Sequence, residues 1–355
     1  MIGFPPALWG TLLRLAVGLS LSLLVAGFVA ASAQRSDSER HPLFGVIPKA
    51  GQAAWNHLEG DGVGYWTSNG VRRIRLPDQS DGRPILLVGD SFTEAIQVSD
   101  DEHYGHLLEK ALRLEGKRIP ILTFGKSGCS VADYIASATN LQAVFKPQWV
   151  IIQAQDGDLF DGAWKKVSPG FARFVWGDGR SSIHLVLQPL PRKAQSSSLR
   201  QLAQRFPHVV PYSFTYQRVK EFEKWFKTER PWFRAAAPEA ARSSPAEWSG
   251  FNYPVEEEME LLADAYQHRL TLLYLPPFDP RDPSAPTEGE ALLRNLAGKN
   301  GIRFVSLKDS FQEMARNGRA PYGFSNTKFN YGHWNRYGHE AAAQLLFSDL
   351  MNLGL

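Results

Sequence analysis

From Pro84 to the C-terminus, short continuous apolar runs alternate with stretches whose apolar positions recur at helical spacing. The runs Ile85–Val88, Ile121–Phe124, Trp149–Ala154, Leu270–Leu275 and Ile302–Leu307 predict strands buried on both faces. Between them, Tyr104–Leu114, Val131–Val144, Glu256–His268 and Glu288–Leu296 predict helices, and a last helix runs from about Arg336 to Met351. Asp100 and Asp101 stand ready at the start of the first helix, and Ser130 is a candidate cap for the second. Continuous apolar strands separated by helices imply an α/β fold, a three-layer sandwich around a mostly parallel sheet.

The rhythm breaks between about 162 and 253. Pro169, Pro189, Pro191, Pro207, Pro211, Pro231 and Pro245 interrupt it, and the stretch reads as an insertion over the sheet edge or the mouth of a site. Within it, Tyr216–Phe226 predicts an amphipathic helix with Lys220, Lys224 and Lys227 outward, a solvated face in the simplest reading. At the other end, Leu15–Ala33 is an uncharged apolar stretch preceded by Arg14, which predicts an N-terminal apolar helix. Its length favours a retained membrane anchor, whereas Ala31-Ser32-Ala33 offers a small-x-small cleavage site for a signal peptide. Either way the rest of the chain is expected outside the cytoplasm, periplasmic or extracellular. Gln34–Pro42 reads as a linker, and Val71–Leu76 mixes apolar and basic residues as an edge strand does. The expected division is therefore 1–34 as signal or anchor, 35–82 as linker and N-terminal extension, and 83–355 as the main domain with its insertion.

Composition sharpens this picture in two places. A net charge of +3 spread over 355 residues, with no dense Lys/Arg stripe, argues against nucleic acid as a partner. The single cysteine, Cys129, excludes an intrachain disulfide and a cysteine-based zinc site, and reads as a small buried residue after a tight turn. No cofactor or metal is implied.

The chemistry gathers at two distant points. Leu87-Val88-Gly89-Asp90-Ser91-Phe92-Thr93 puts a serine just beyond a buried strand, at the carboxyl edge of a parallel sheet, where open α/β folds bind ligands. Gly89 permits a tight turn that projects the hydroxyl, and a following helix N-terminus favours developing negative charge. Near the C-terminus comes His333-Trp334-Asn335-Arg336-Tyr337-Gly338-His339, in which a histidine lies in the loop before the last helix, with Asn335 as that helix's candidate cap. His333 is the candidate general base. His339 falls inside the helix and reads as a packed residue.

Together these segments resemble the SGNH (GDSL-type) hydrolases and acyltransferases, over Arg83 to about Asp161 and again from Glu256 to the end. Gly89-Asp90-Ser91 matches the first block of that family, which implies Ser91 as nucleophile. Thr123-Phe124-Gly125-Lys126-Ser127-Gly128 follows a strand as the second block does, with Gly128 in the place of the oxyanion-hole glycine. His333-Trp334-Asn335 with Gly338-His339 is similar to the His-x-Asn-x-x-Gly-His form of the last block. The resemblance implies an SGNH/flavodoxin-like sandwich and acyl transfer, either ester hydrolysis or transacylation. The backbone N–H groups of Ser91 and Gly128 would hold the oxyanion. By analogy and location, the expected substrate is an acylated carbohydrate, with O-acetyl groups on cell-surface or secreted polysaccharide.

Two departures from the family stand out. In the third block, Gln153-Ala154-Gln155-Asp156-Gly157-Asp158 has Gly157 where the family carries an oxyanion-hole asparagine, and Gln155 is the substitute donor. Three residues before His333, where the family carries its triad aspartate, this chain has Asn330. Asn330 can orient the imidazole but cannot stabilise an imidazolium by charge, so it is expected to leave a weakened triad; Asp156, Asp158 and Asp309 are further candidates for the carboxylate. Two rival readings follow: an inactive relative that binds polysaccharide through the same cleft, and a lipase or thioesterase acting on small acyl groups.

Overall fold

The computed structural model describes residues 6–32, 38–51, 53–56, 59–72, 82–155, 158, 172–176, 183–187, 255–275 and 288–355. Its contacts divide the chain into two units. One comprises Met1–Gln34 with Arg192–Arg242, and the other Arg35–Pro191 with Ser243–Leu355.

In the first unit, α1 (Pro6–Ser32) covers the N-terminal apolar stretch. Side chains are described there from Gly10 to Val25, and all are exposed. Among the described residues no helix is long and apolar enough to cross a membrane. The helix expected at Tyr216–Phe226 lies outside the described residues.

The second unit is built on a five-stranded sheet formed by β5 (Ile85–Gly89), β6 (Ile121–Gly125), β7 (Trp149–Gln155), β10 (Leu270–Leu275) and β11 (Arg303–Ser306). The order across the sheet is β11-β10-β7-β5-β6, and every pairing is parallel. The chain thus starts in an inner strand, steps outward to β6, then returns past β5 to β7. That reversal creates a switch point at the carboxyl end of β5, where the flanking loops part and leave a crevice.

Alternation within the strands feeds two cores. Leu86, Val88, Ile152 and Leu272 face one side with Tyr134 and Leu141 of α4 (Val131–Phe145), Met259 and Leu262 of α5 (Val255–Ala265) and Leu293 of α6 (Glu288–Lys299). Ile85, Leu87, Ile151 and Leu273 face the other, with Leu108 of α3 (Tyr104–Leu114), Phe311 of α7 (Lys308–Arg316) and Leu346 of α8 (Arg336–Asn352). Full burial of each such side chain contributes roughly 1.5–3 kcal/mol, which is why strands apolar on both faces commit to the middle layer. The three-layer α/β sandwich with a parallel sheet is the observed fold.

Ahead of the sheet, the segment read as linker and extension holds two short antiparallel hairpins. β1 (Ser38–His41) pairs with β2 (Gly45–Pro48), and β3 (Ala53–Asn56) with β4 (Gly62–Tyr65). Of the stretch read as a linker, Gln34–Pro42, residues Ser38–His41 form β1. Of the edge strand expected at Val71–Leu76, Val71 and Arg72 are described, and Arg72 makes single antiparallel bridges to Trp66 and to Thr123. Within the region read as an insertion, β8 (Ala172–Trp176) and β9 (Ile183–Leu187) form a hairpin, and its other residues lie outside the described ones.

Candidate active site

Ser91 opens α2 (Ser91–Glu94), two residues past the end of β5 at the switch point. Asp90 caps this turn by accepting from Phe92 N–H at 2.9 Å. The strand can turn so sharply because Gly89 has no side chain: a Cβ there would stand 2.1 Å from Thr93 Oγ1 and 2.7 Å from Gln153 Oε1.

The loop before α8 brings His333 to the same edge. Asn335 caps α8, its Oδ1 accepting from Tyr337 N–H at 2.9 Å, while its Nδ2 donates to Ala320 O and Gly323 O at 2.7 and 3.0 Å. Buried Trp334 packs its ring 5.5 Å from Phe92 and 6.1 Å from Phe311. So anchored, His333 holds its Nε2 2.9 Å from Ser91 Oγ.

The carboxylate on the far side of the imidazole is Glu59, from the turn between β3 and β4. Glu59 Oε2 lies 2.6 Å from His333 Nδ1, and Oε1 accepts the His333 backbone N–H at 2.7 Å. A carboxylate can only accept, so Nδ1 carries the proton and Nε2 is left to accept from the Ser91 hydroxyl. Burial pushes the Glu59 pKa up, but hydrogen bonds from the His333 side chain and backbone, the His333 charge and a Gln97 side-chain bond outweigh it. The net result lies below the ordinary carboxylate value. Gly332 makes this approach possible. It sits at φ 87, and a Cβ there would fall 2.1 Å from Glu59 Oε1.

Asn330, expected beside the imidazole, is placed differently. It adopts a left-handed conformation, φ 63, and its backbone N–H donates to Tyr322 O at 2.9 Å. The Nδ1 bond goes to Glu59 instead. Asp158 and Asp309 do not take the role either. Asp158 accepts the Gln155 backbone N–H at 3.1 Å, and Asp309 lies in the first turn of α7, while Asp156 falls outside the described residues.

Of the expected oxyanion donors, Gly128 lies in the loop after β6 at φ 81. That loop is drawn alongside Ser91 by Lys126 N–H bonding Gly89 O at 3.0 Å and Ser127 N–H bonding Glu94 Oε2 at 3.1 Å. The N–H groups of Ser91 and Gly128 have no partner among the described residues. Gln155 is turned elsewhere: its Nε2 donates to Asp90 Oδ2 at 3.1 Å, because that buried carboxylate needs a donor. His339 is buried, stacks 5.7 Å from Tyr104 and accepts the Tyr104 N–H, and burial drives its pKa down to about 3. Buried Cys129 has its thiol pKa pushed up by the same cause.

Asp90 gives this site a measurable signature. Burial raises its pKa from 3.8 to about 6, partly offset by the Phe92 N–H, the charge of His333 and the amides of Gln155 and Gln153. For an acid whose folded pKa is raised, stability is full below the unfolded pKa and is lost as pH rises through the folded one. Urea titrations from pH ~4 to ~7 are therefore expected to show a loss on the order of 3 kcal/mol that Asp90→Asn removes. Identical pH dependence in both proteins would contradict this.

No family model matches the chain, and no curated protein matches it. Among solved structures it is similar to an alpha/beta hydrolase enzyme from the metagenome of Lake Arreo, Spain, at 15% identity over 76% of this chain and 95% of that one, with a TM-score of 0.40. It is similar also to an acetylxylan esterase from Geobacillus stearothermophilus, at 14% identity over 77% and 95% of the two chains, TM-score 0.40. A family 3 carbohydrate esterase from Clostridium thermocellum shares 12% identity over 76% and 98%, TM-score 0.39.

Proposed function

We propose that the chain is a serine-dependent acyl esterase or O-acyltransferase, with Ser91 as nucleophile, His333 as general base and Glu59 as the acid behind it. The observation that carries this reading is the single imidazole bonded to a serine hydroxyl on one side and a carboxylate on the other. Ser91 Oγ attacks the acyl carbonyl carbon while its proton passes to His333 Nε2, and Glu59 stabilises the imidazolium so formed. The oxyanion is met by the backbone N–H groups of Ser91 and Gly128. Collapse breaks the ester C–O bond, and the His333 proton leaves with the alcohol. The acyl-Ser91 ester then yields to water in hydrolysis, or to a second hydroxyl in transfer. The rival reading, an inactive polysaccharide-binding relative, rests on Asn330 and on the altered third block; the Glu59 carboxylate beside His333 speaks against the first ground, while Gln155, bonded to Asp90, leaves the second in place. O-acetyl groups on cell-surface or secreted polysaccharide remain the proposed substrate, by analogy with the resembled family.

The test is covalent. A fluorophosphonate probe is expected to add one phosphonyl group to the wild-type protein and none to Ser91→Ala, read by intact mass. Equal labelling of the two sinks the assignment.

We propose further that Leu15–Ala33 directs export, on the ground of its uncharged apolar run. A reporter fused after Arg40 should then be active outside the cytoplasm, and activity confined to the cytoplasm would refute it.

A further inference from the structure

Beyond β6 the chain makes a tight turn, Lys126–Cys129, closed by Cys129 N–H donating to Lys126 O at 3.2 Å. Gly128, its third residue, sits at φ 81, which fits a type II turn. Such a turn differs from the commoner type I by a reversal of its central peptide, and here that peptide carries the Gly128 N–H. A type I turn would put position 128 near about −90° and send the N–H to the opposite side. An oxyanion donor at Gly128 therefore depends on which way this one peptide faces.

The two ends of the turn are secured by the fold. Gly125 lies against α2, where a Cβ would stand 2.0 Å from Glu94 N, and Cys129 is buried. Between them Gly128 is exposed, and Ser127 is held by a side chain. Glu94 Oε2 accepts both the Ser127 backbone N–H, at 3.1 Å, and the Ser127 hydroxyl. Bonds to a carboxylate are of the stronger kind. They also occupy a hydroxyl that could otherwise compete for backbone groups of its own turn. Glu94 is the last residue of α2, the same short helix that Ser91 opens. One carboxylate oxygen thus couples the nucleophile's helix to the residue on which the central peptide pivots.

We infer that Glu94 is a positioning residue for the oxyanion hole, clamping Ser127 so that the Gly128 N–H stays aimed at the carbonyl oxygen of an ester attacked by Ser91. The inference rests on the acyl chemistry proposed above. Glu94 touches no reacting atom and passes no proton. It acts by holding a donor where charge develops, so that the donor need not reorganise as the oxyanion forms.

The test reads hydrolysis of p-nitrophenyl acetate and inhibition by an aryl trifluoromethyl ketone, whose tetrahedral adduct on a serine places an oxyanion in the same hole. Glu94→Ala is expected to lower kcat by about 100-fold with KM within about 2-fold, and to weaken the ketone by a similar factor. Glu94→Gln keeps one oxygen able to accept both Ser127 bonds, and should recover to within about 5-fold of wild type on both readings. Both substitutions remove the charge that Glu94 sets near buried Arg72, so the contrast between them separates the clamp from any effect on that ion. Ser127→Ala removes the hydroxyl bond alone and should lower kcat by about 10-fold. If Glu94→Ala does not fold, Ser127→Ala carries the test, and unchanged turnover in it overturns the inference. So does near-wild-type turnover in a folded Glu94→Ala, an equal impairment of Glu94→Gln, or a loss that raises KM and leaves the ketone's affinity unchanged. A wild type inert to ester and ketone alike sinks the acyl chemistry and this role with it. An active wild type with an unaffected Glu94→Ala sinks this role alone.

Discussion

Glu59→Gln is expected to lower kcat on an activated acetyl ester by about 10⁴-fold, with KM little changed. Glu59 accepts two N–H groups of His333 at once, the backbone at Oε1 and the imidazole at Oε2. Glutamine has one acceptor oxygen. Keeping the backbone bond turns its amide nitrogen to the ring, which forces Nδ1 to accept and puts the proton on Nε2, facing Ser91. That tautomer cannot take the serine proton, and an amide adds no charge to steady an imidazolium. Asn330→Asp is the control, expected within about 3-fold of wild type because position 330 is held in the bend by its backbone. A tenfold gain in Asn330→Asp, together with a near-normal Glu59→Gln, would return the acid role to position 330. The same pair bears on acid stability. Because the Glu59 pKa is depressed on folding, its contribution is present above the ordinary carboxylate range and is lost as pH falls through the lowered value.

The residues that sequence alone located are those whose environment is local. Leu86 and Leu87 are apolar neighbours on opposite faces of one strand, which happens only in a sheet covered on both sides. Ser91 follows such a strand directly, and His333 precedes a helix whose cap, Asn335, is adjacent to it. Boundaries slipped where backbone conformation decided them. The helix expected to reach His268 stops at Ala265, because Gln267 and His268 take positive φ and turn the chain into β10. Helix α7 went unread because its nine residues offer little apolar face beyond Phe311 and Met314. The hairpins before Gly70 have strands of four residues, too short for alternation to register. Glu59 was out of reach for another reason. It lies 274 residues from His333, in a turn with no helical or strand periodicity, and only tertiary packing joins them. The one local hint was Gly332 beside the histidine, a position with no room for a side chain because a carboxylate fills the space.

What carries Glu59 to the site is Arg72, and its removal has the second large expected effect. Arg72 is 4% exposed, and its Nε meets Asp100 Oδ1 at 2.5 Å. One terminal nitrogen donates to Glu94 O and Ala95 O at 3.0 and 2.5 Å, and the other to Val98 O at 2.6 Å. These carbonyls belong to the chain just after Ser91, and Asp100 also accepts the Tyr65 N–H of β4 at 3.2 Å. A single guanidinium therefore ties the hairpin that bears Glu59 to the loop that follows the nucleophile. Burial lowers its pKa, offset by the charges of Asp100 and Glu94, so the ion depends on those partners for its place in the interior. Arg72→Met would fill the space but leave Asp100 without its counter-charge and the carbonyls of Glu94 and Val98 without donors, while Ala95 O keeps the Val98 N–H. The expected cost is about 3–5 kcal/mol of unfolding free energy, seen as a lower urea midpoint. Arg72→Lys should recover only part of it, because an ammonium lacks the planar fork that reaches an acid and three carbonyls together. Arg72→Met with Asp100→Leu should be more stable than Arg72→Met alone, since no half-buried carboxylate is left without its counter-charge. A loss under about 1 kcal/mol in Arg72→Met would mean that the hairpin is held by its other contacts, chiefly Gly60 and Gly62 packed on the backbone of Ile96–Val98.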